Sequence, residues 1–381
     1  MPKVSVIIPI YNTAAYLREA LESLRRQTLS DIEIIGVNDG SSDNSLAILQ
    51  EYKLKDARFS VIDKKNSGYG HSVNCGMEAA KGEYLAIVES DDFIALTMFE
   101  DLYELAKKNE LDVVKGDSYR FTCDEAKNQI LTYHATSKNP AFYNRLYNPA
   151  NEVETAAMYV NNCVGIYRRD FIRENKIRFN ESPGASFQDN GFFWQVQIKA
   201  TKALLVDKAY YYYRRDNPHS SIKDQSKVWA MKKEYDFIRA ILEKEESVWQ
   251  KFSSYYWLQK YRNYDFILNL IKNEDKREFA QVFKTEFSTA WEKQEFSCSV
   301  FRDSEWDRLQ FLFRDLDGYL SKYCFNGLEL AECRNEVQRL EKQIKVLNRK
   351  EQWNSRLLAV IDKTRRIAKS KKNRDREKKT A

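Results

Sequence analysis

Tyr84-Leu85-Ala86-Ile87-Val88-Glu89-Ser90-Asp91-Asp92 passes from an unbroken apolar run straight into three acids. A short apolar run that ends in polar residues reads as a strand buried on both faces, the form strands take in a parallel sheet covered by helices. The acids then stand just past the strand's end, with no basic residue beside them. Carboxylates packed so closely repel one another unless a positive charge sits among them, and a divalent cation with oxygen ligands would supply it. A hydrated surface turn is the competing reading of the same residues.

Outward from that strand the same rhythm repeats. Val4 to Ile10, Ile32 to Asn38 and Phe59 to Asp63 are β-rich runs. Between them Leu17, Ala20, Leu21 and Leu24 fall at i, i+3, i+4 and i+7, Leu46, Leu49 and Tyr52 continue such a pattern, and Ser72 to Ala80 predicts a further helix. Asn12 or Thr13, and Ser41 to Asp43, supply helix-capping side chains. This alternation through about residue 115 predicts a mainly parallel α/β sheet of the nucleotide-binding type. Farther on, Cys163 to Tyr167 and Ala209 to Arg214 read as strands around a helix that follows Asp189, and the Gly-poor, aromatic-rich sequence beyond Lys223 reads as packed helices. Leu330, Cys333, Val337, Leu340, Ile344 and Leu347 recur by threes and fours, as a short coiled-coil seam requires. Self-association through that helix and docking on its own chain both fit the spacing.

Ligands bind outside the carboxyl ends of the strands in an open α/β sheet, so the loops after the strands hold the candidate site. Pro9-Ile10-Tyr11-Asn12 leaves the first strand as a stiff polar turn, which either a ligand or the turn itself explains. In Val37-Asn38-Asp39-Gly40-Ser41-Ser42-Asp43 an acid stands at a strand tip, where it can accept a base N–H, although capping alone accounts for Ser42 and Asp43. Asn66-Ser67-Gly68-Tyr69-Gly70-His71-Ser72-Val73-Asn74 suits close backbone approach to a ligand. It lacks the third glycine of the dinucleotide fingerprint and follows the third strand, which excludes a Rossmann dehydrogenase. A nucleotidyltransferase would need a Gly-rich basic loop near the start, and Pro9 to Thr13 offers none.

Together these loops resemble the family 2 glycosyltransferases of the GT-A fold. Val4 to Asn12, Val37 to Ser45, Asn66 to Gly76 and Gly82 to Asp92 correspond in order and spacing to that family's sugar-nucleotide half. The resemblance implies that Pro9, Tyr11 and Asn12 line the nucleoside pocket, Asp39 holds the base, and Asn66 and Gly68 border the ribose and phosphates, with Asn74 matching in residue class. The family's Asp-x-Asp motif would be Glu89-Ser90-Asp91, with Asp91 the direct ligand of Mn²⁺ or Mg²⁺. Glu89 departs from the pattern, and so does Val73, where many members carry arginine. The family's Glu-Asp pair would be Gln188-Asp189, leaving Asp189 as the general base of an inverting transfer. His219, after the last strand, stands where some members add a late metal or diphosphate contact; Arg214 and Ser220 could touch the diphosphate there too. The implied reaction moves a sugar from a nucleoside diphosphate donor, read as a UDP-sugar, to a glycan or lipid-linked acceptor in bacterial surface polysaccharide or glycolipid assembly. A non-catalytic sugar-nucleotide or glycan-binding protein on the same fold is the alternative, and Glu89 and Gln188 are its evidence.

These readings divide the chain into a GT-A domain over 1–222, a helical region over 223–327, a coiled-coil-like helix over 328–354 and a basic tail over 355–381. The net charge of +6 is concentrated in that tail: from Lys363 to Ala381 ten Lys and Arg face only Asp375 and Glu377, so residues 1–362 carry −2. A slightly acidic globular part argues against nucleic acid as a partner, whereas the tail suits an anionic membrane surface, at about 1 kcal/mol per basic residue. A solvated tail accounts for the same composition. The six cysteines form no CxxC pair, as buried free thiols in a reducing compartment would not. No apolar run approaches the roughly 20 residues that cross a bilayer. The expectation is a soluble, cytoplasmic chain, peripheral on the inner face of the membrane.

Overall fold

The computed structural model describes residues 1–123, 129–185, 187–220, 224, 225 and 227–325. The helix expected over 328–354 and the tail over 355–381 lie outside the described residues. The chain divides into two compact units, one of residues 1–267 and 294–300, the other containing 268–293 and 301–325.

The first unit alternates as its sequence does: β1 (Val4–Ile10), α1 (Ala14–Arg25), β2 (Ile32–Asp39), α2 (Ser45–Lys55), β3 (Phe59–Lys64), α3 (Tyr69–Ala79), β4 (Tyr84–Ile87), β5 (Phe93–Ile94), α4 (Met98–Asn109), β6 (Val113–Cys123) and β7 (Gln129–His134). β8 (Leu146–Tyr147), β9 (Gly165–Arg168), α5 (Arg169–Glu174), α6 (Asp189–Lys199), β10 (Ala203–Arg214), α7 (Ala230–Leu242) and α8 (Glu246–Leu270) follow. One sheet takes the order β3-β2-β1-β4-β9-β6-β10-β5, with β7 beside β6 and β8 beside β10. Its first four strands are parallel. β9 then pairs antiparallel with both β4 and β6, so the sheet is mixed beyond the half that the sequence rhythm described.

Every residue of β1 is buried, as a strand covered on both faces must be. α1 packs Leu17, Ala20, Leu21 and Leu24 inward, each burial being worth about 1.5–3 kcal/mol for the larger side chains. In α2 the inward face is Ser45, Ile48, Leu49 and Tyr52, so Ile48 takes the place that spacing gave to Leu46. Parallel pairing of β1 with β2 and β4 brings the ends of all three strands to one edge, which is where the site lies.

The second unit contains α9 (Asn273–Glu292), α10 (Asp303–Arg314) and α11 (Leu316–Tyr319). Phe279, Phe283 and Phe287 bury one face of α9, and the Lys276 ammonium donates to the Cys324 carbonyl at 2.8 Å. No helix among the described residues is long and apolar enough to cross a membrane. Cys75, Cys123, Cys163, Cys298 and Cys324 are free thiols.

Candidate active site

The loops at the strand ends are tied together by side chains far apart in sequence. Thr13 begins α1, but its hydroxyl donates to Ser90 Oγ at 3.0 Å instead of capping its own helix. The capping falls to the next loop: Asp43 Oδ2 accepts the Ala14 N–H at 2.9 Å and Ser45 Oγ accepts that of Thr13 at 3.0 Å. Asn12, at φ 53°, accepts the Ser42 N–H at 2.8 Å and donates its own N–H to Ser41 Oγ at 3.1 Å. Tyr11 is exposed beside it, whereas Pro9 is buried in the strand. Ser90 is buried under the same junction.

Asp39 is buried and gathers the third loop: its carboxylate accepts the N–H groups of Ser67 at 2.8 Å and Gly68 at 3.0 Å and pairs with the Lys64 ammonium. Gly68, at φ 93°, lies so close that a Cβ would stand 3.0 Å from Gly184 N and Ser182 O. Asn66 is exposed at the rim of this loop. Asn74 is buried in α3, donating to Phe179 O at 3.0 Å and Glu181 Oε1 at 2.9 Å and accepting the Phe179 N–H. It therefore fastens the 179–184 segment over the Gly68 turn.

The acids after β4 occupy three different environments. Glu89 accepts the Tyr69 hydroxyl at 2.6 Å and lies 3.5 Å from Cys163 Sγ. Burial pushes its carboxyl up to about 7, with the Tyr69 bond opposing and the charges of Asp91 and Asp189 adding to the rise. Asp92 is fully buried, accepting Tyr211 Oη and the Arg214 N–H at 2.7 Å each, and burial raises its carboxyl well above the ordinary range. It serves as a brace. Asp91 accepts Asn217 Nδ2 on Oδ2 at 2.8 Å, leaving Oδ1 without a hydrogen-bond partner among the described residues.

Arg214, read as a diphosphate contact, is instead buried between the rings of Tyr16 and Phe121, 4.6 Å from each. Its guanidinium donates to Asp91 O at 2.8 Å and pairs with Glu19, so it supports the acidic turn from beneath. His219 is exposed and donates its backbone N–H to Asn217 Oδ1 at 2.9 Å, so Asn217 links it to Asp91.

Asp189 opens α6. Its backbone carbonyl accepts Asn162 Nδ2 at 2.8 Å, and Asn190 Nδ2 donates to its Oδ1 at 3.2 Å. Burial lifts its carboxyl to about 6, against the N–H groups at the helix start. Gln188, in the position of the family's glutamate, donates to Ser182 O, Ser182 Oγ and Gly184 O, and Gly184 O in turn accepts the Tyr69 N–H at 3.1 Å. The loop before Asp189 and the Glu89–Tyr69 pair are thus built as one piece, with Asp189 near enough for its charge to raise Glu89, Tyr69 and Cys163.

A family model described as glycosyl transferase family 2 matches residues 5–174. The chain is 33% identical over 216 residues to the glycosyltransferase GlyG of Streptococcus pneumoniae serotype 4, covering 56% of this chain and 70% of that one. The chain belongs to the family 2 glycosyltransferases. It is also 35% identical over 228 residues to the uncharacterized glycosyltransferase EpsJ of Bacillus subtilis (strain 168), spanning 58% of this chain and 63% of EpsJ. In fold it is similar to the crystal structure of S. aureus TarS 1-349 in complex with UDP, with TM-score 0.61 and 22% identity over 84% of this chain and 89% of that one. The sheet and its flanking helices are those of a GT-A glycosyltransferase.

Three residues of this candidate site carried no sequence signal of their own. Glu234 on α7 is buried, accepting the Gly191 N–H of α6 at 3.0 Å and Asn180 Nδ2 at 2.8 Å. Burial pushes its carboxyl up to about 7, and the Asp189 charge adds to the rise. Asn162 and Asn217 hold the candidate base Asp189 and the candidate metal ligand Asp91, and neither asparagine stood out from the polar residues beside it in the sequence.

Among the described residues no three His, Cys, Asp or Glu side chains form a ready-made metal cluster. The donor chemistry nonetheless fits an ion that takes one or two protein carboxylates and completes its shell with phosphate oxygens and water. Asp91 presents an unused oxygen, and the neighbouring carboxylates raise one another in the way an added positive charge would relieve.

Proposed function

We propose that this chain transfers a sugar from a nucleoside diphosphate donor, a UDP-sugar, to an acceptor hydroxyl with inversion at the anomeric carbon. The observation that carries the reading is Asp189: a carboxylate with an elevated affinity for protons, fixed at the start of a helix and coupled electrostatically to Glu89 at the strand end. Asp189 takes the acceptor hydroxyl's proton as the acceptor oxygen bonds to the anomeric carbon, while the bond from that carbon to the diphosphate oxygen breaks. Such a base contributes roughly 10² to 10⁴ in rate. Asp91, with His219 as a second candidate ligand, would hold Mn²⁺ or Mg²⁺, which when bound neutralises charge on the departing diphosphate. Pro9, Tyr11, Asn12, Asp39 and Asn66 frame the nucleoside side of the same edge. The UDP in the TarS complex supports the choice of nucleotide by analogy of fold.

In this reading the acceptor is a bacterial surface glycan or glycolipid, the basic residues from Lys363 to Lys379 recruit the chain to anionic lipid, and residues 328–354 pair two copies. Incubating the full chain with UDP-sugars, Mn²⁺ and glycan acceptors should release UDP and yield product. Asp189→Asn should keep donor binding while losing transfer. Donor binding without UDP release from any donor would favour the non-catalytic alternative. Sedimentation with anionic vesicles, lost on removing residues 363–381, tests the membrane surface, and light scattering with and without 328–354 tests the pairing.

A further inference from the structure

Next to the acidic turn, the sheet carries a cluster of cations and rings that the donor chemistry does not use. In the pairing of β10 with β6, Tyr211 lies opposite Ser118 and Tyr213 opposite Arg120, and Ser118 lies opposite His134 of β7. Side chains alternate along strands, so Tyr213 and Arg120 share the face of Tyr211, whose hydroxyl braces Asp92. On that face stands Tyr159, 44% exposed. Its ring meets His134 edge-on at 4.3 Å, the Arg120 guanidinium lies 5.4 Å from its centroid, and Arg120 Nη2 donates to its hydroxyl at 2.9 Å. The Arg215 guanidinium lies 5.4 Å from the centroid of the Tyr213 ring.

Burial first, then the charges of Arg120, Lys138 and Arg215, hold the His134 imidazole below its usual value, with the Asp117 charge opposing. Among the described residues the guanidinium contacts of Arg120 and Arg215 are with tyrosines, and none of the three makes an ion pair there. The carboxylates in reach are already engaged. Asp117 is fully buried and takes the Tyr133 and Tyr143 hydroxyls and the Thr136 N–H, and Asp216 accepts the Cys123 N–H and faces Arg214. Two arginines set against aromatic rings of this face, with Lys138 acting on the same imidazole, outnumber the one carboxylate, Asp117, that acts there too, so the strip favours an anion, and arginine forks match carboxylate and phosphate oxygens.

The cluster also adjoins the reacting centre. The Tyr213 hydroxyl is raised by burial and by Asp92 and Asp91, and it responds to Arg215 and Tyr159 as well. From Tyr159 the chain reaches Asn162 in three residues, and Asn162 holds the Asp189 carbonyl. Asn162 Oδ1 is itself buried without a hydrogen-bond partner, an acceptor still to be satisfied at this end of the strip.

We propose that Tyr159, Arg120, Lys138 and Arg215 dock an acceptor glycan that bears an anionic group. A sugar ring lies against Tyr159, the anion sits among the three cations, and the reacting hydroxyl extends past Asn162 to Asp189. The proposal rests on the transferase reading for its orientation, but binding of the glycan can be measured without transfer.

Full-length protein is titrated with a fluorescent acidic oligosaccharide, one bearing a carboxylate and another bearing a phosphate, against a neutral oligosaccharide of equal length, with no donor present. At least one acidic probe should bind about tenfold more tightly than the neutral one, and Arg120→Gln and Arg215→Gln should each remove about that factor. The rise in melting temperature given by UDP with Mn²⁺ should be unchanged in both variants. Tyr159→Ala should weaken acidic and neutral probes alike; if it fails to fold, Tyr159→Phe, which keeps the ring, should bind like the parent while the arginine variants do not. Equal affinity for all probes, arginine variants that bind like the parent, or arginine variants that lose UDP binding would overturn the proposal, the last because the cations would then serve the donor. Glycan binding without any UDP release would sink the transferase reading and leave the docking strip standing.

Discussion

Replacing Asp189 by asparagine separates the carboxylate's chemical role from its structural cost. The Asp189 carboxyl titrates at about 6 in the fold instead of the ordinary 3.8, chiefly because burial penalises its charged form. A carboxyl raised in this way binds its proton more tightly folded than unfolded, so the folded state loses stability as pH rises through the window between those two values. From about pH 4.5 to about pH 7.5 the loss is about 2 kcal/mol. Asparagine carries no charge at either pH and escapes it. Asp189→Asn should therefore gain about 2 kcal/mol relative to the parent between those pH values, read as the difference in urea unfolding so that other groups cancel. Over the same range UDP release should fall by roughly 10² to 10⁴. The parent's own kcat/KM should drop about tenfold per pH unit below about 6, as the base becomes protonated. A stability difference that stays flat with pH would refute the buried-carboxylate argument, and transfer retained by the variant would remove Asp189 from the chemistry.

Asp91→Ala should abolish the Mn²⁺-dependent part of the UDP-induced rise in melting temperature while leaving the apo melting temperature within a few degrees, because the one side-chain hydrogen bond that Asp91 makes among the described residues, from Asn217 Nδ2, is all that the apo fold loses. Arg214→Lys should cost about 2–4 kcal/mol in thermal or urea unfolding, since an ammonium cannot both fill the space between Tyr16 and Phe121 and donate to Asp91 O and Glu19. Gly70→Ala should destabilise by about 1–3 kcal/mol and reduce transfer, because its Cβ would press on the Asn180 carbonyl and displace the segment that carries Gly184 toward the Tyr69 turn. Normal stability and activity of that alanine variant would show that the contact between α3 and the 180 segment is not tight.

The first four strands and three helices were legible because each rests on local periodicity. An apolar run of β1 or a stripe of α1 needs only its own residues to announce which way it faces. Beyond β4 the signal weakens. β9 enters antiparallel between β4 and β6, a pairing fixed by where the chain returns and not by any pattern in Gly165–Arg168. Thr13 illustrates the same limit at a single residue: its type marks a helix cap, yet its hydroxyl turns to Ser90 and the cap comes from Asp43, 29 residues from the Ala14 amide it serves. Arg214 was misplaced for a similar reason, since a basic residue in a site loop reads the same whether it faces a diphosphate or lies buried between two rings.

By itself the sequence determined the parallel half of the sheet, the acidic strand end at Glu89 to Asp92 and the aspartate that begins the later helix, because residue type and short-range spacing carry those features. The tertiary structure decided which of the acids stays available and which becomes a brace. Asp91 and Asp92 are neighbours with the same side chain, and they differ only because Tyr211 and the Arg214 amide close over one of them. It likewise decided that Glu234, more than forty residues from Gly191, shares the surroundings of Asp189. Burial and partner geometry are properties of packed surfaces, and no local pattern encodes them.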